Sequence, residues 1–378
     1  MLEVCHLTRV YLDNNASCPI RPEVIAAVTD VMHLNGNSSA QHSDGRKAQA
    51  MISKAREIIG LEMGVCSQDI IFTSSGTEAL NTAIFAAYNA GCKKMLFSNA
   101  DHAATYKAAV NWGYSHDFIP TDVNGVTDTV YLKEILKNWN SSDGRPFVSV
   151  SAANGETGVL QPVDKIVDIV HQYNGLVLVD AVQAFGKIPM VFNADYIAIS
   201  AHKIGGPQGV GALYACPNTP FSPLLCGGGQ ERRMRSGTMN LAGIHGFGVA
   251  ASMMNNLDFT KKLRDSFEMR LKIVESDLNI FGANVDRLPN TSFISSPNLN
   301  AMTMMMALDL AGISVSTGSA CSSGKSNENR IIKSMGLSDS APKGAIRVSF
   351  GYKSMSKDVD QILSAWSSIR NRTEVTNG

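Results

Sequence analysis

A chain of 378 residues is long enough for two domains, or for one large domain with an appendage, at roughly 100–200 residues per domain. Its 33 basic and 33 acidic residues cancel, and with 17% charged residues nothing in the balance points to nucleic acid or an anionic membrane surface as a partner. Apolar residues make up 44%, glycine occupies 32 positions, and no apolar run approaches the roughly 18 residues of a spanning helix, which excludes disordered, collagen-like and membrane-spanning classes.

The 7 cysteines, at positions 5, 18, 66, 92, 216, 226 and 321, are odd in number and include neither a C-x-x-C pair nor a cysteine–histidine cluster of zinc-site spacing. Neither a disulfide framework nor a metal site is expected. The first residues, MLEVCHLTRVYLDNNAS, lack the basic start and apolar stretch of a signal peptide and the Arg/Ser-rich pattern of a transit peptide. A reducing cytoplasm is the expected location.

From residue 69 to 215 short apolar runs alternate with segments of helical period: DIIFTS, TEALNTAIFAAYNA, KKMLFS, HAATYKAAVNW, FVSVSAAN, VDKIVDIVHQY and LVLVDAV. Runs that are apolar throughout suit strands covered on both faces, so the pattern predicts a largely parallel sheet flanked by helices. Sites in such sheets lie beyond the carboxyl ends of the strands. Those ends carry Thr73-Ser74-Ser75-Gly76-Thr77, Asn154-Gly155-Glu156, Asp180-Ala181-Val182-Gln183 and Ser200-Ala201-His202-Lys203. After about residue 255 the texture changes to a long helical stretch (FTKKLRDSFEMRLKIVESDL), strand-like runs (NTSFIS, GISVST, GAIRVSFG) and a final helix (KDVDQILSAWSSI), which reads as a smaller α+β domain. Within it, TGSACSSGKSNE is small and polar and is expected to be a mobile loop.

Lys203 follows the apolar run YIAIS and precedes the glycine-rich IGGPQGVGALY, so it is either a surface lysine or one held in a crevice, able to lose its proton and form a Schiff base. Asp180 ends the run LVLVD and either caps the next segment or supplies a buried carboxylate in need of a cationic partner. His102 begins a helix and is a helix-start histidine or an acid–base group beside a planar cofactor. Ser74 to Thr77, between strand and helix, form a weak phosphate-site signal.

Together these segments resemble the class V aminotransferase family of pyridoxal phosphate (PLP) enzymes, and within it the cysteine desulfurases of the NifS/IscS group. The resemblance runs through YLDNNAS, the pattern from Gly36 to Arg46, FTSSGTEALN, Asp101-His102, NGETG, VDAVQ, SAHKIGGPQGVGAL, GGGQERRMRSGT, GSACSSGK and AIRVSFG. It implies the α/β fold of PLP-dependent transferases of fold type I: a large domain with a mostly parallel sheet over residues 14–255, and a smaller α+β domain made of 1–13 and 256–378, carrying a mobile cysteine loop at about 317–330.

The resemblance implies that Lys203 forms the Schiff base, that Asp180 pairs with the pyridine nitrogen, and that Gln183 donates to the ring hydroxyl. His102 would stack on the ring and act as acid or base. Gly76, Thr77, Ser200 and His202 would hold the phosphate, with Thr238 reaching across from a second subunit, which implies a homodimer. Asn154 belongs to the cofactor set, and Arg347 would grip the substrate carboxylate bidentately. Cys321 would take the sulfur of L-cysteine as a persulfide, leaving alanine, and deliver it to acceptor proteins of iron–sulfur assembly or tRNA thiolation. The loop resembles the longer kind found in the family.

Three features depart from the family pattern. Gly155 stands where a second asparagine is usual, Ser38 replaces a proline, and Asp101 replaces a glutamate. Loss of an asparagine hydrogen bond to a charged group, worth about 1.5–3 kcal/mol, predicts a shifted proton affinity at the lysine–cofactor link and weaker substrate binding. Cys18, where threonine is usual, is either a packed residue or a second thiol near the pocket mouth. His42 and Arg46 are either entrance residues or structural hydrogen-bonders. Cys66, Cys92, Cys216 and Cys226 are expected to be small packed residues. The remaining alternatives are a class V relative acting on another amino acid, such as an aminotransferase or a selenocysteine lyase, and a degenerate dimeric scaffold for sulfur-transfer partners.

Overall fold

The computed structural model describes residues 9–254, 258–297, 299–318, 329–341 and 343–377. The elements of the first half are β1 (Val10–Tyr11), α1 (Pro22–Met32), α2 (Ser43–Met63), β2 (Ile70–Thr73), α3 (Gly76–Asn89), β3 (Lys94–Ser98), α4 (Ala103–Asn111), β4 (Ser115–Ile119), α5 (Thr129–Lys137), β5 (Phe147–Ser151), α6 (Val163–Gln172) and β6 (Leu176–Asp180). They are followed by β7 (Tyr196–Ser200), β8 (Gly211–Ala215), α7 (Leu241–Ser252), α8 (Asp258–Val274), β9 (Asn279–Ile280), β10 (Thr291–Ser295), α9 (Ala301–Leu310), β11 (Ile313–Ser314), α10 (Arg330–Ser334), β12 (Ile346–Ser349) and α11 (Ser356–Asn377).

Seven strands form one sheet in the order β2-β8-β7-β6-β5-β3-β4, in which only β8 runs against its neighbours. Every position of β5, β6, β7 and β8 is buried, the reason those runs are apolar throughout. Edge strand β4 alternates between exposed and more covered positions, and its polar sequence SHDFI carries too little apolar pattern to have been read as a strand. Sequence pattern also passed over α1, α2 and α7, of which α7 packs against both of the others.

The topology puts the site in place. The chain leaves β3 outward to β4, returns to β5 on the other side of β3, and continues away to β6 and β7. Neighbours β3 and β5 therefore hand the chain on in opposite directions, and a crevice opens beyond their carboxyl ends. Asp101 and His102 follow β3, and Asn154 to Glu156 follow β5.

Apolar residues gather into separate cores. One lies on each face of the large sheet, with Ile59, Val179, Ile197 and Phe247 on one and Leu80, Phe97, Tyr196 and Leu213 on the other. Another joins the start of the chain to its C-terminal part through Leu12, Phe267, Ile346, Val348, Phe350 and Trp366. Its framework is the antiparallel sheet β12-β10-β9 and the parallel pair β1-β11, so GISVST forms only a two-residue strand. Asn14 and Asn15, just after β1, link this part to the rim of the large sheet.

Candidate active site

A cavity of about 730 Å³ lies over the carboxyl ends of β3, β5, β6 and β7, lined among others by His102, Asp180, Gln183, His202, Lys203 and Arg347. Lys203 ends a short 3-10 turn after β7, and its Nζ donates to the backbone carbonyls of Asn15 at 2.6 Å and Ala16 at 3.0 Å. Burial and the charge of Arg347 pull its amine down to about 8, against the opposing pull of Asp180 and Asp13. This lysine therefore reaches its neutral, nucleophilic form far more readily than a surface lysine.

Asp180, the last residue of β6, is buried and accepts one backbone hydrogen bond from Val182 at 3.0 Å. Burial pushes its carboxyl above the ordinary range, while that hydrogen bond, His102 and Lys203 pull the other way. A cationic group in the cavity would supply the missing compensation. His102 caps α4, its Nδ1 accepting the Ala104 N–H at 3.2 Å, which leaves Nε2 as the ring's other polar atom.

At another wall α3 presents its N-terminus, with Gly76 and Thr77 among the lining residues. Ser75 caps the helix through its Oγ and the Glu78 N–H, and Glu78 reaches back to the Ser74 N–H at 2.7 Å. A Cβ on Gly76 would stand 2.6 Å from Val182 Cγ2, so only glycine lets the helix start this close to the end of β6. Ser200 and His202 line the same cavity. Burial, Lys203 and Lys187 lower the His202 imidazole to about 4, so it is neutral near pH 7. A helix N-terminus, hydroxyls and a neutral imidazole form a donor set suited to a phosphate.

Arg347 comes from β12, 8% exposed, with Nη1 on the Gly155 carbonyl at 3.0 Å and Nη2 on Asp13 Oδ1 at 2.7 Å. Its Nε is buried with no partner among the described residues. A buried donor without a partner is an uncommon and expensive feature, and in a residue that lines the cavity it makes Arg347 a candidate for ligand contact. Asp101 presents the complementary case. Its Oδ1 accepts the Ser151 N–H at 2.7 Å while Oδ2 is buried without a partner among the described residues, and burial, with Asp180 adding to it, pushes the carboxyl up to about 7.

The other sequence-selected residues divide. Asn154 lines the cavity, but its amide serves the turn after β5, donating to the Ala100 carbonyl and accepting from Glu156 and Thr157. It is therefore not available to replace an asparagine at 155, where an added Cβ would stand 3.2 Å from Gln183 Nε2. Thr238 is exposed and lies outside the lining of its own chain's cavity. Cys321 lies outside the described residues, as does most of the loop at 317–330. On either side of it, Gly318 lines the cavity and Asn329 donates to Glu156 Oε2 at 2.7 Å.

Cys18 is partly buried beside His202, its thiol pushed up by burial. It does not line the cavity, and neither do His42, which caps α2, nor Arg46, which bonds the Gln41 carbonyl. Cys92 is buried as expected, but Cys66 and Cys226 are exposed: one starts a short 3-10 turn and the other stands before a glycine run, so neighbouring apolar residues did not imply packing. Among the described residues no cluster suits a metal ion and no helix is long and apolar enough to cross a membrane.

Sequence reading assigned no role to Asn15 or Lys187. Asn15 is 1% exposed, and its side chain and carbonyl tie together Lys203, Gln183, Lys187, Gly155 and Thr291. Its place in YLDNNAS was the available signal, but nothing local says what an asparagine there will touch.

Residues 10–362 match the family model described as aminotransferase class-V. A cysteine desulfurase of Cereibacter sphaeroides is 36% identical over 370 residues, 94% of each chain, and a cysteine desulfurase IscS of Dictyoglomus turgidum is 34% identical over 94% of this chain and 92% of its own. The X-ray structure of a NifS-like protein from Rickettsia africae superposes with a TM-score of 0.88 at 34% identity, over 96% of this chain and 99% of that one. With the large, mostly parallel sheet, the crevice beyond the ends of β3 and β5 and this likeness along nearly the whole length, the chain belongs to the class-V aminotransferase family.

Proposed function

We propose that this chain is a PLP-dependent cysteine desulfurase that converts L-cysteine to L-alanine and carries the sulfur as a persulfide on Cys321. The observation that supports it most is the meeting, in one cavity, of a lysine of lowered proton affinity, a buried carboxylate of raised proton affinity and an arginine whose Nε has no partner among the described residues. PLP fits these residues: the N-terminus of α3, Thr77, Ser200 and His202 suit its phosphate, Asp180 its ring nitrogen, Gln183 its ring oxygen, and Lys203 its aldehyde. Thr238 of a second subunit completes the phosphate set in this reading, which makes the active form a homodimer.

When bound, PLP supplies an electron sink at the carbon bearing the substrate amine. Arg347 holds the substrate carboxylate, its Nε and Nη groups offering a planar donor pair. Lys203 Nζ takes the proton from the substrate Cα, a role that its lowered proton affinity allows. His102 hands protons on at the outer face of the cavity. The Cys321 thiolate attacks the substrate sulfur: an S–S bond forms, the C–S bond breaks, and its electron pair stays with the carbon fragment, which takes up protons and leaves as alanine. No outside oxidant is needed. A reducing cytoplasm suits this chemistry, since the acceptor thiols of iron–sulfur assembly or tRNA thiolation must also stay reduced.

Purified protein is incubated with L-cysteine, and alanine, sulfide and the Cys321 persulfide are measured. Cys321→Ala should keep the visible absorbance of bound PLP yet lose sulfide release. Unchanged sulfide release would exclude this mechanism, and absence of PLP absorbance in the unaltered protein would favour a scaffold.

A further inference from the structure

Lys187 stands behind Gln183, partly buried and outside the cavity lining, and has no part in the chemistry above. Its Nζ donates to Gln183 Oε1 and to Asn15 Oδ1, each at 2.9 Å. Charged or neutral, the amine has an N–H for each of them, so both amides turn their oxygens toward it and their NH2 groups away.

The consequences run in two directions. Gln183 Nε2 gives one hydrogen to the Asn15 carbonyl at 2.9 Å, and its other N–H is left to face the cavity that Gln183 lines. Asn15 Nδ2 donates to Thr291 Oγ1 at 2.8 Å and to the Gly155 carbonyl at 3.2 Å, the same carbonyl that accepts Arg347 Nη1 at 3.0 Å. Asn290 Nδ2 is a second donor to Asn15 Oδ1, at 3.1 Å, and reinforces the same orientation.

We propose that Lys187 is a positioning residue that sets two amides at once: Gln183, so that it offers an N–H to the cofactor's ring oxygen, and Asn15, so that the Gly155 carbonyl is held for Arg347. The cofactor side and the carboxylate side of the site are thereby set by one lysine. This rests on the PLP reading above. Around Lys187 stand Lys203, Cys18 and Arg347; burial first, and Lys203 next, bring its amine down to about 7, and because the neutral amine keeps two N–H groups, both amide oxygens are served on either side of that value.

The test uses full-length holoenzyme carrying Lys187→Met, Lys187→Arg, Gln183→Ala, or Gln183→Ala with Lys187→Met. PLP affinity is measured by equilibrium dialysis, the visible band by absorbance, and KM for cysteine alongside kcat. Lys187→Met should weaken PLP binding about tenfold, shift the visible band and raise KM, while Lys187→Arg, again a pure donor, should recover most of the affinity. In the Gln183→Ala background the further change to methionine should leave the PLP affinity within about twofold, because the cofactor effect passes through Gln183. Lys187→Met with unaltered affinity and band overturns the proposal, and so does an equal tenfold loss in both backgrounds. A wild-type protein with no PLP band overturns the underlying reading together with the proposal, whereas a normal wild-type band with either failing result overturns the proposal alone.

Discussion

Arg56 with Glu231, and the group of Asp180, Lys203, Lys187 and Arg347, both bring charge into the interior, but they do so differently. Arg56 meets Glu231 with both Nη atoms, at 2.8 and 2.5 Å, and also gives a hydrogen bond to the Ile70 carbonyl; the Phe72 N–H completes the carboxylate. Its guanidinium lies over the Phe72 ring, 4.6 Å from the centroid. The pair holds a tense segment, for Glu231, Arg232 and Arg233 all have positive φ, at 44°, 56° and 67°. Left-handed backbone costs roughly 1–2 kcal/mol per non-glycine residue, so three in succession need such an anchor. In the cavity, by contrast, Arg347 Nε and Asp101 Oδ2 have no partner among the described residues, and lysines and carboxylates are pushed toward their neutral forms. The Arg56–Glu231 charges are saturated with partners, whereas the cavity charges keep buried polar atoms with none among the described residues.

That contrast can be broken most strongly at the structural pair. Arg56→Leu should destabilise the protein by about 3–5 kcal/mol, read from denaturant or thermal unfolding, because Glu231 is left buried without its cationic partner. Arg56→Met combined with Glu231→Leu should recover most of the loss; if the double variant is as unstable as the single one, the segment is held by something else.

At the cavity the same reasoning predicts a loss of function with little loss of fold. Arg347→Lys keeps the charge but not the planar donor pair, and should raise KM for cysteine about tenfold or more with PLP binding retained. A fall in melting temperature comparable to that of Arg56→Leu would mean that Arg347 is structural too.

Asp101 sharpens the comparison through pH. Its folded carboxyl titrates near 7 against an ordinary value of 3.8, so between those pH values the folded chain holds a proton that the unfolded chain has released. The stability tied to that proton is complete below the ordinary value and is lost as pH rises to about 7. Asp101→Asn, which stays neutral, should therefore gain melting temperature over the parent between about pH 4 and 7 and level off above; a constant difference across that range would count against the shift.

The smallest effect is expected at Gly155. Gly155→Asn supplies the family's amide but sets its Cβ against Gln183 Nε2 and Cγ, at 3.2 and 3.3 Å. Substrate binding should tighten by less than about tenfold, the full worth of a new hydrogen bond to charge being reduced by the shift of Gln183. Weaker binding would show that Gln183 cannot give way.

Much of the site was legible because strand ends are legible. Apolar runs mark buried strands, the polar residues directly after them must gather at one edge, and Asp180, Gln183, Ser200, His202 and Lys203 were found that way. The edge strand β4 was not, because its sequence SHDFI lacks the burial that makes strands readable. Cys66 and Cys226 misled for a related reason: apolar neighbours in sequence do not decide exposure at a turn.

By itself the sequence determined the family, the mostly parallel sheet and the polar residues that stand at its strand ends, since each depends on local pattern and on motifs a few residues long. Only the tertiary structure decided their partners. Arg347 meets Asp13 across 334 positions and Gly155 across 192, and Asn15 reaches Lys187 across 172. A hydrogen bond needs its atoms within about 3 Å, and which distant residues come that close is set by how the second core packs on the rim of the large sheet.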